Sequence, residues 1–444
     1  MKTVEGKFTI AKVMIDEIDE GCLSQIQRML NHEAFTNPVA IMPDTHVGKG
    51  SVIGFTMPLS EKTIPNVVGV DIGCGMTSYK SHHTKIDLHE LDEQIKDLIP
   101  RGRNIYKAPV YSNIQPILSA ATELFSRFVH SYNRKFSTQF SEHEYNQDWF
   151  DAMLKRISIS EQTVLRSIGT LGGGNHFVEL GKSQHAEQYY LTIHCGSRNL
   201  GLKVANYHQQ MAVFQLNTYS EKSYKEQLEQ IKSTYKNEPV KIGEKIKELT
   251  KMTFPTNIKE LTHMEYVTGE NARKYFIDMV FCQLYASANR KTIAERIYKK
   301  CFPGMEYESM ETVHNYIDFN DLIIRKGAIR GYEGEKYIIP FNMEDGLIIA
   351  EGKSNSEWNY SLPHGAGRIH SRNQAKKLFD LEEQKANMKA KGVYTTTLNE
   401  HSLDECRGAY KNAEMIMDCI SPNAKIVDIV KPILNVKDNS ELGD

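Results

Sequence analysis

Residues 172–198 read GGGNHFVELGKSQHAEQYYLTIHCGSR. Three successive glycines open the stretch, and a largely apolar run, Tyr189–His194, precedes another glycine at position 196. The run is strand-length and suited to burial, and the glycines mark turns or close backbone approach. The same style recurs at Ala40–Met57, Asn66–Ser78 and from His314 to Arg372. Within it, Val39–Met42 and Val67–Val70 read as short strands. Polar, charge-rich stretches separate these regions. Leu88–Thr163 reads as helices and loops, and Tyr207–Leu261 as solvated helices. Asn271–Lys300 is the clearest helix, because Phe276, Met279, Val280 and Leu284 share one face. Asn373–Lys391 and Leu403–Ile420 also read as helical, and Pro432–Val436 as an extended end before Lys437. Strands and helices mix without a βαβ rhythm, so the fold class is α+β. No internal repeat or linker-like tract interrupts the 444 residues. A single large domain over 1–444 is expected, with a mixed β core and a helical insertion at 205–300.

The composition narrows the function classes. Hydrophobic residues make up 40% and charged residues 25%, enough for a sizeable core. With 54 basic and 56 acidic residues the net charge is −2, which argues against a wholly electrostatic nucleic-acid binder. A local basic groove remains compatible. The seven cysteines are scattered and odd in number. No secretory segment opens the chain, and no apolar run approaches the roughly 18 residues of a membrane span. A reducing, cytoplasmic setting without membrane partners is therefore expected.

Five islands carry residues competent for metal or phosphate. In Val70-Asp71-Ile72-Gly73-Cys74-Gly75, a carboxylate and a thiol can turn toward one point. In Gly172–Glu179, three glycines leave backbone N–H groups able to face a phosphate. His194 ends an apolar strand just before Cys195-Gly196-Ser197-Arg198. His314-Asn315 follows a helix-rich region. Ser361-Leu362-Pro363-His364-Gly365-Ala366-Gly367-Arg368 leaves His364 with little steric cover, beside an arginine suited to bidentate anion contact. Singly, each has a bland reading: Cys74 as a small apolar residue, His194 as a satisfied core histidine. Together Asp71, Cys74, His176, His194 and His314 form a mixed O/S/N donor set. Five donors exceed a closed structural zinc site and suit two ions with open positions, although donor softness alone favours zinc. His364, outside this set, is a candidate proton carrier or nucleophile. His82, His83, His185 and His401 read as surface residues. His370 is a candidate support for the site, and His46 is either a site or a turn residue.

These islands resemble the RtcB family of GTP-dependent RNA ligases over nearly the whole chain. The motifs are Met42-Pro43-Asp44…His46…Gly48, Gly69…Asp71…Cys74-Gly75, Gly172–Glu179, His194…Gly196-Ser197-Arg198, Asn289-Arg290, His314-Asn315, Arg325-Lys326-Gly327-Ala328, His364–Arg368 with Ser371-Arg372, and Val436-Lys437. The resemblance implies an RtcB-like fold with a metal-lined cleft. It implies that Asp71, Cys74, His176, His194 and His314 bind two manganese ions and that His364 becomes guanylylated. It implies a GTP pocket of Asn175, His176, Phe177, Val178, Glu179, His314, Asn315, Pro340, Phe341, Asn342, Met343, His364, Gly365, Ala366, Gly367 and Lys437. Arg198 and Arg368 are implied phosphate contacts, and Tyr410 a nucleotide-stacking position.

The implied substrates are RNA 3′-phosphate or 2′,3′-cyclic phosphate ends and 5′-hydroxyl ends, in RNA repair or tRNA splicing. Need for an activating protein and the oligomeric state stay open. Phe341 stands where the family commonly has glycine, which leaves guanine selectivity open. Position 47, usually aromatic, is Val47, and Cys406–Tyr410 lacks the usual Ala-Pro before the tyrosine. A phosphoesterase opening cyclic phosphates, and a non-catalytic RNA or nucleotide binder, are the competing classes. Lys49, Arg290, Arg325, Lys326, Arg330 and Arg372 are the candidates for a basic RNA groove.

Overall fold

A computed structural model of the chain describes residues 1–82, 86–111, 113–236, 238–253 and 263–440. His83 and residues 254–261 of the expected solvated helical stretch lie outside the described residues. The strands run in the order β1 (Lys2–Glu5), β2 (Ile10–Val13), β3 (Val39–His46), β4 (Ile53–Pro58), β5 (Gly75–Ser81), β6 (Phe177–Ser183), β7 (Tyr189–Cys195), β8 (Glu308–Val313), β9 (Asn315–Asp318), β10 (Ile323–Lys326), β11 (Ala328–Arg330), β12 (Lys336–Asn342), β13 (Gly346–Gly352), β14 (Ser361–Pro363) and β15 (Ala424–Lys437). One sheet has the order β1-β2-β3-β4-β10-β9, and a larger one β12-β13-β15-β6-β7-β5-β8. A short β11–β14 ribbon completes the set. Every pairing in the seven-stranded sheet is antiparallel. With helices packed around largely antiparallel sheets, of which only the β2–β3 pairing is parallel among the named strands, the fold is α+β, as the mixed sequence pattern predicts.

The core is built around helix Gly269–Cys301. Phe276, Met279 and Val280 are fully buried on it, and Leu284 packs half-buried against the same core. Phe276 meets Phe128 of helix Gln115–Phe136 at 5.1 Å between ring centres, and Phe128 also meets Phe319 at 4.7 Å. The stretch 205–300 thus holds two kinds of helix. Pro239–Thr253 is charge-rich and mostly exposed, whereas Gly269–Cys301 is core because its small and apolar residues run most of the way round.

Three local expectations change. Val67 and Val68 belong to a helical turn, Pro65–Val68, and not to a strand. Pro65 supplies a pre-set φ at the first helical position, and Gly69 at φ +96° ends the turn. Leu403–Ile420 is not one helix: two 3₁₀ turns, Glu400–Glu405 and Arg407–Ala409, precede helix Ala413–Ile420, which Asn412 caps. Asn373–Lys391 is split at Asp380, whose side chain caps a second helix, Leu381–Ala390. No helix of the described residues is long and apolar enough to cross a membrane.

Phe128 joins the two central helices, so Phe128→Ala should lower stability by about 3–5 kcal/mol. Urea unfolding followed by circular dichroism checks this; an unchanged midpoint would contradict the packing.

Candidate active site

Strand register assembles the site. β6, β7, β5 and β8 are neighbours, and adjacent strands run in opposite directions. Gly75 pairs with Cys195 on one side and Val313 on the other, while His194 pairs with Met76 and Phe177. Residues just before β6 and β5, and at or after the ends of β7 and β8, therefore meet at one sheet edge. Those residues are His176, Cys74, His194 and His314. Cys74 Sγ lies 3.4 Å from His176 Nε2 and 3.3 Å from His194 Nε2. His194 Nε2 lies 3.3 Å from His314 Nε2, and His176 Nε2 lies 3.0 Å from Asp71 Oδ2. Gly196 lets Asp71 in: a Cβ there would overlap its carboxylate.

Three of the five expected donors form a group that could hold a metal ion, with Asp71 and His314 beside it. Cys74, His176 and His194 hold their donor atoms within 4.8 Å of one another, all buried. His194 Nδ1 donates to the Asn175 carbonyl at 3.2 Å, which leaves Nε2 with its lone pair toward the cluster. Among the described residues, Nδ1 of His176 and of His314 has no hydrogen-bond partner. Burial pushes the Cys74 thiol well above its ordinary value, with Asp71 adding to the effect. Burial likewise drives His194 and His314 well below theirs, helped by neighbouring cationic groups. Neutral imidazoles are ready ligands, and a divalent cation would offset the cost of a buried thiolate.

A cavity of about 320 Å³ opens beside this cluster. His364 stands on its wall, with its ring centre 4.9 Å from that of His314. The fully buried Asp44 accepts from the His364 backbone N–H at 3.1 Å and contacts Nδ1 at 2.6 Å. An Nδ1 that donates to a carboxylate leaves Nε2 as the basic, nucleophilic nitrogen. His46 also lines the cavity, and its Nδ1 meets the Asp44 carbonyl at 3.1 Å. Burial pushes His46 down to about 4.

Asn175, Phe177, Glu179, Asn315, Pro340, Phe341, Asn342, Met343, Gly365, Ala366, Gly367, Arg368, Tyr410 and Lys437 line the same cavity, together with Asp71, Cys74, His194 and His314. His176 sits behind it. Val178 points the other way, into the core, because alternate residues of β6 face opposite sides. Arg198 lies aside from the cavity, bonded to Thr170 Oγ1 at 3.1 Å and to the Gly102 carbonyl. Phe341 is buried in an apolar cluster with Ile339, Ile348, Leu362 and Ala366 and also lines the cavity. The triple glycine serves close approach: a Cβ at Gly172 would strike His176, and one at Gly174 would strike the Arg372 guanidinium.

Two functional positions escaped the sequence reading. Asp44 stands in the Met42-Pro43-Asp44 motif, and an acid just beyond the apolar run Val39–Met42, within one buried strand, is its signal. Glu405 is the hub of the opposite wall. It accepts from Arg368 at 3.2 Å and from the Tyr410 hydroxyl at 2.6 Å, with Lys437 Nζ 3.6 Å away. Burial opposes its charge, but Lys437, Arg372 and Arg368 hold it below its ordinary value. The Arg368 guanidinium covers one face of Tyr410 at 4.9 Å.

The expected basic groove does not form as drawn. Arg290 and Arg325 are fully buried and Lys326 nearly so. Arg290 bonds the Gly73 and Cys195 carbonyls and Glu311 beneath the donor cluster. Arg325 pairs with Asp318 and Asp321, and Arg330 with Asp318 and Glu335. Lys326 donates to the carbonyls of Lys49, Ser51 and Asn66. Arg290, Arg325, Lys326 and Arg330 are thus engaged by acceptors of the fold itself, whereas Arg372 does reach the cavity. His185 and His401 are exposed, as is His82. His370 is half-buried, and its carbonyl accepts from Arg368.

A buried N/S donor cluster able to hold a metal ion and a carboxylate-held imidazole flank one cavity, whose lining mixes the cations Arg368, Arg372 and Lys437 with the acids Asp71, Glu179 and Glu405. Residues 25–438 match the family model described as tRNA-splicing ligase RtcB, and the chain belongs to the RtcB family. Two Escherichia coli proteins, named RNA-splicing ligase RtcB1 and RNA-splicing ligase RtcB, are each 28% identical over 90% of this chain and 90% of their own. A tRNA-splicing ligase RtcB of Methanococcus maripaludis is 25% identical over 94% of this chain and 90% of its own.

Cys74→Ala should weaken divalent-metal binding by at least roughly tenfold, since losing even an outer partner of a ligand costs that much. Titration calorimetry with Mn²⁺ and Zn²⁺ reads the loss. Glu179 is buried and pushed up to about 7, opposed by Asn435 and Lys437. An acid raised on folding holds its proton more tightly in the folded chain. Its stabilising contribution is complete below about 4.3 and disappears as pH rises through the folded value. Ligand-free protein should therefore lose more thermal stability between pH 5 and pH 8 than Glu179→Gln does; parallel melting curves check it.

Proposed function

We propose that the chain is a GTP- and manganese-dependent RNA ligase. It joins an RNA 3′-phosphate, or a 2′,3′-cyclic phosphate opened to one, to a 5′-hydroxyl end through guanylylated His364. The observation that carries this reading is the Asp44–His364 pair at the edge of the five-donor cluster. A phosphoesterase that only opened cyclic phosphates could use the same imidazole as a general base but would form no covalent guanylyl adduct on it.

Asp71, Cys74, His176, His194 and His314 would hold two manganese ions, which when bound neutralise phosphate charge and lower the pKa of a bound hydroxyl. Asp44 holds the His364 Nδ1 proton, so Nε2 attacks the α-phosphorus of GTP and pyrophosphate leaves. The Nε2–phosphorus bond then breaks as an RNA 3′-phosphate oxygen takes over the guanylyl group. The 5′-hydroxyl oxygen attacks that activated 3′-phosphorus, loses its proton and expels GMP. Arg368, Arg372 and Lys437 supply positive charge where phosphate charge builds up. The buried Glu179 carboxyl suits the paired N1–H and N2–H donors of guanine. Phe341, which lines the cavity from the apolar cluster, offers the base an apolar wall. RNA splicing or repair in the cytoplasm is the setting this chemistry fits.

With α-labelled GTP and Mn²⁺, wild-type protein should acquire an acid-labile covalent label and seal 3′-phosphate to 5′-hydroxyl RNA. His364→Ala should do neither. Absence of label on the wild type would overturn the reading.

A further inference from the structure

Lys411 is a half-buried cation that the chemistry above does not use. Its ammonium donates to the Pro43 carbonyl at 2.9 Å and to the Thr45 carbonyl at 2.8 Å. These carbonyls flank Asp44. They lie where the pairing of β3 with β4 shifts register, between Ile41 and His46. A shifted register re-aims side chains and disturbs the ladder, so its carbonyls need donors from elsewhere. Proline also contributes no N–H of its own there. An ammonium carries three donors and can serve two carbonyls at once.

The backbone of Lys411 acts on the other partner. Its N–H donates to the Gly367 carbonyl at 2.9 Å, and Arg368 and Tyr410 form an isolated bridge beside it. Gly367 has φ +75°, and a Cβ there would overlap the Asp44 carbonyl, so the His364 turn is pressed directly on the Asp44 strand. One residue thus ties together the strand that carries Asp44 and the turn that carries His364. Lys411 contributes nothing to the lining of the donor-cluster cavity.

We propose that Lys411 is a positioning residue for histidine guanylylation. It holds the Asp44 carboxylate against Nδ1 of His364 by bonding the carbonyls on both sides of Asp44 and the backbone at Gly367. The inference rests on the reading of His364 as the nucleophile. Displacements of about 1 Å in reacting groups cost up to a hundredfold in rate.

The test is single-turnover labelling of the full chain with α-labelled GTP and Mn²⁺. Lys411→Met keeps the length and loses the charge and donors. Its maximal labelling rate should fall roughly ten- to a hundredfold. The GTP concentration for half-maximal rate should stay within about twofold, because Lys411 serves orientation and not uniform binding. Lys411→Gln, which retains N–H donors, should recover part of the rate. It also serves as the second variant should Lys411→Met melt below the assay temperature. In an Asp44→Ala background, Lys411→Met should add little further loss, since both act through one contact. A wild-type rate in both Lys411 variants, a weakened GTP response at unchanged maximal rate, or a full additional loss on Asp44→Ala would each overturn the proposal. A wild type that takes no label would instead refute the ligase reading itself.

Discussion

The site depends on the register of four adjacent antiparallel strands, β6, β7, β5 and β8. A slip of one residue in any of them would turn its donor to the opposite face. The pairing of His194 between Met76 and Phe177 sets the depth of the cluster. Gly75, wedged between Cys195 and Val313, has no space for a side chain: a Cβ would overlap the Thr312 carbonyl. Beneath the edge, Arg290 ties the Gly73 and Cys195 carbonyls to Glu311. The donor cluster is thus a consequence of sheet geometry, braced by one buried guanidinium.

Opposite this rigid edge, the cavity wall comes from segments far apart in the chain. Asp44 on β3 holds His364, and Lys411 bonds the carbonyls of Pro43 and Thr45 on either side of Asp44 and that of Gly367 in the His364 turn. Glu405 gathers Arg368, Tyr410 and Lys437. Buried charges without partners are costly, so each of these ions is matched inside the fold. The result is a cavity whose cations and acids are held in fixed directions by their partners inside the fold.

Much of this was legible in the sequence. Cys74, His176, His194 and His314 each had a bland reading singly and stood out only together, as a mixed donor set with Asp71. The helix around Phe276–Val280 was legible from its period. The strand expected at Val67–Val70 was not a strand, because an apolar run of four carries no period and Pro65 favours a helical start. The basic groove failed for a different reason. Charge in a sequence does not reveal burial, and Arg290, Arg325 and Lys326 each answer carbonyls or carboxylates that only folding brings near.

The sequence by itself determined the α+β class, the donor inventory and the uncovered histidine at position 364. These follow from residue type, periodicity and glycine placement, which are local properties. Tertiary structure alone decided which acid orients His364, which cations face the cavity and which support it, and that Val178 and Arg198 stand apart from it. Those outcomes depend on register and on contacts between segments up to several hundred residues apart, such as Asp44 with His364. No local pattern encodes them, because the partners meet only when the sheets close around the cleft.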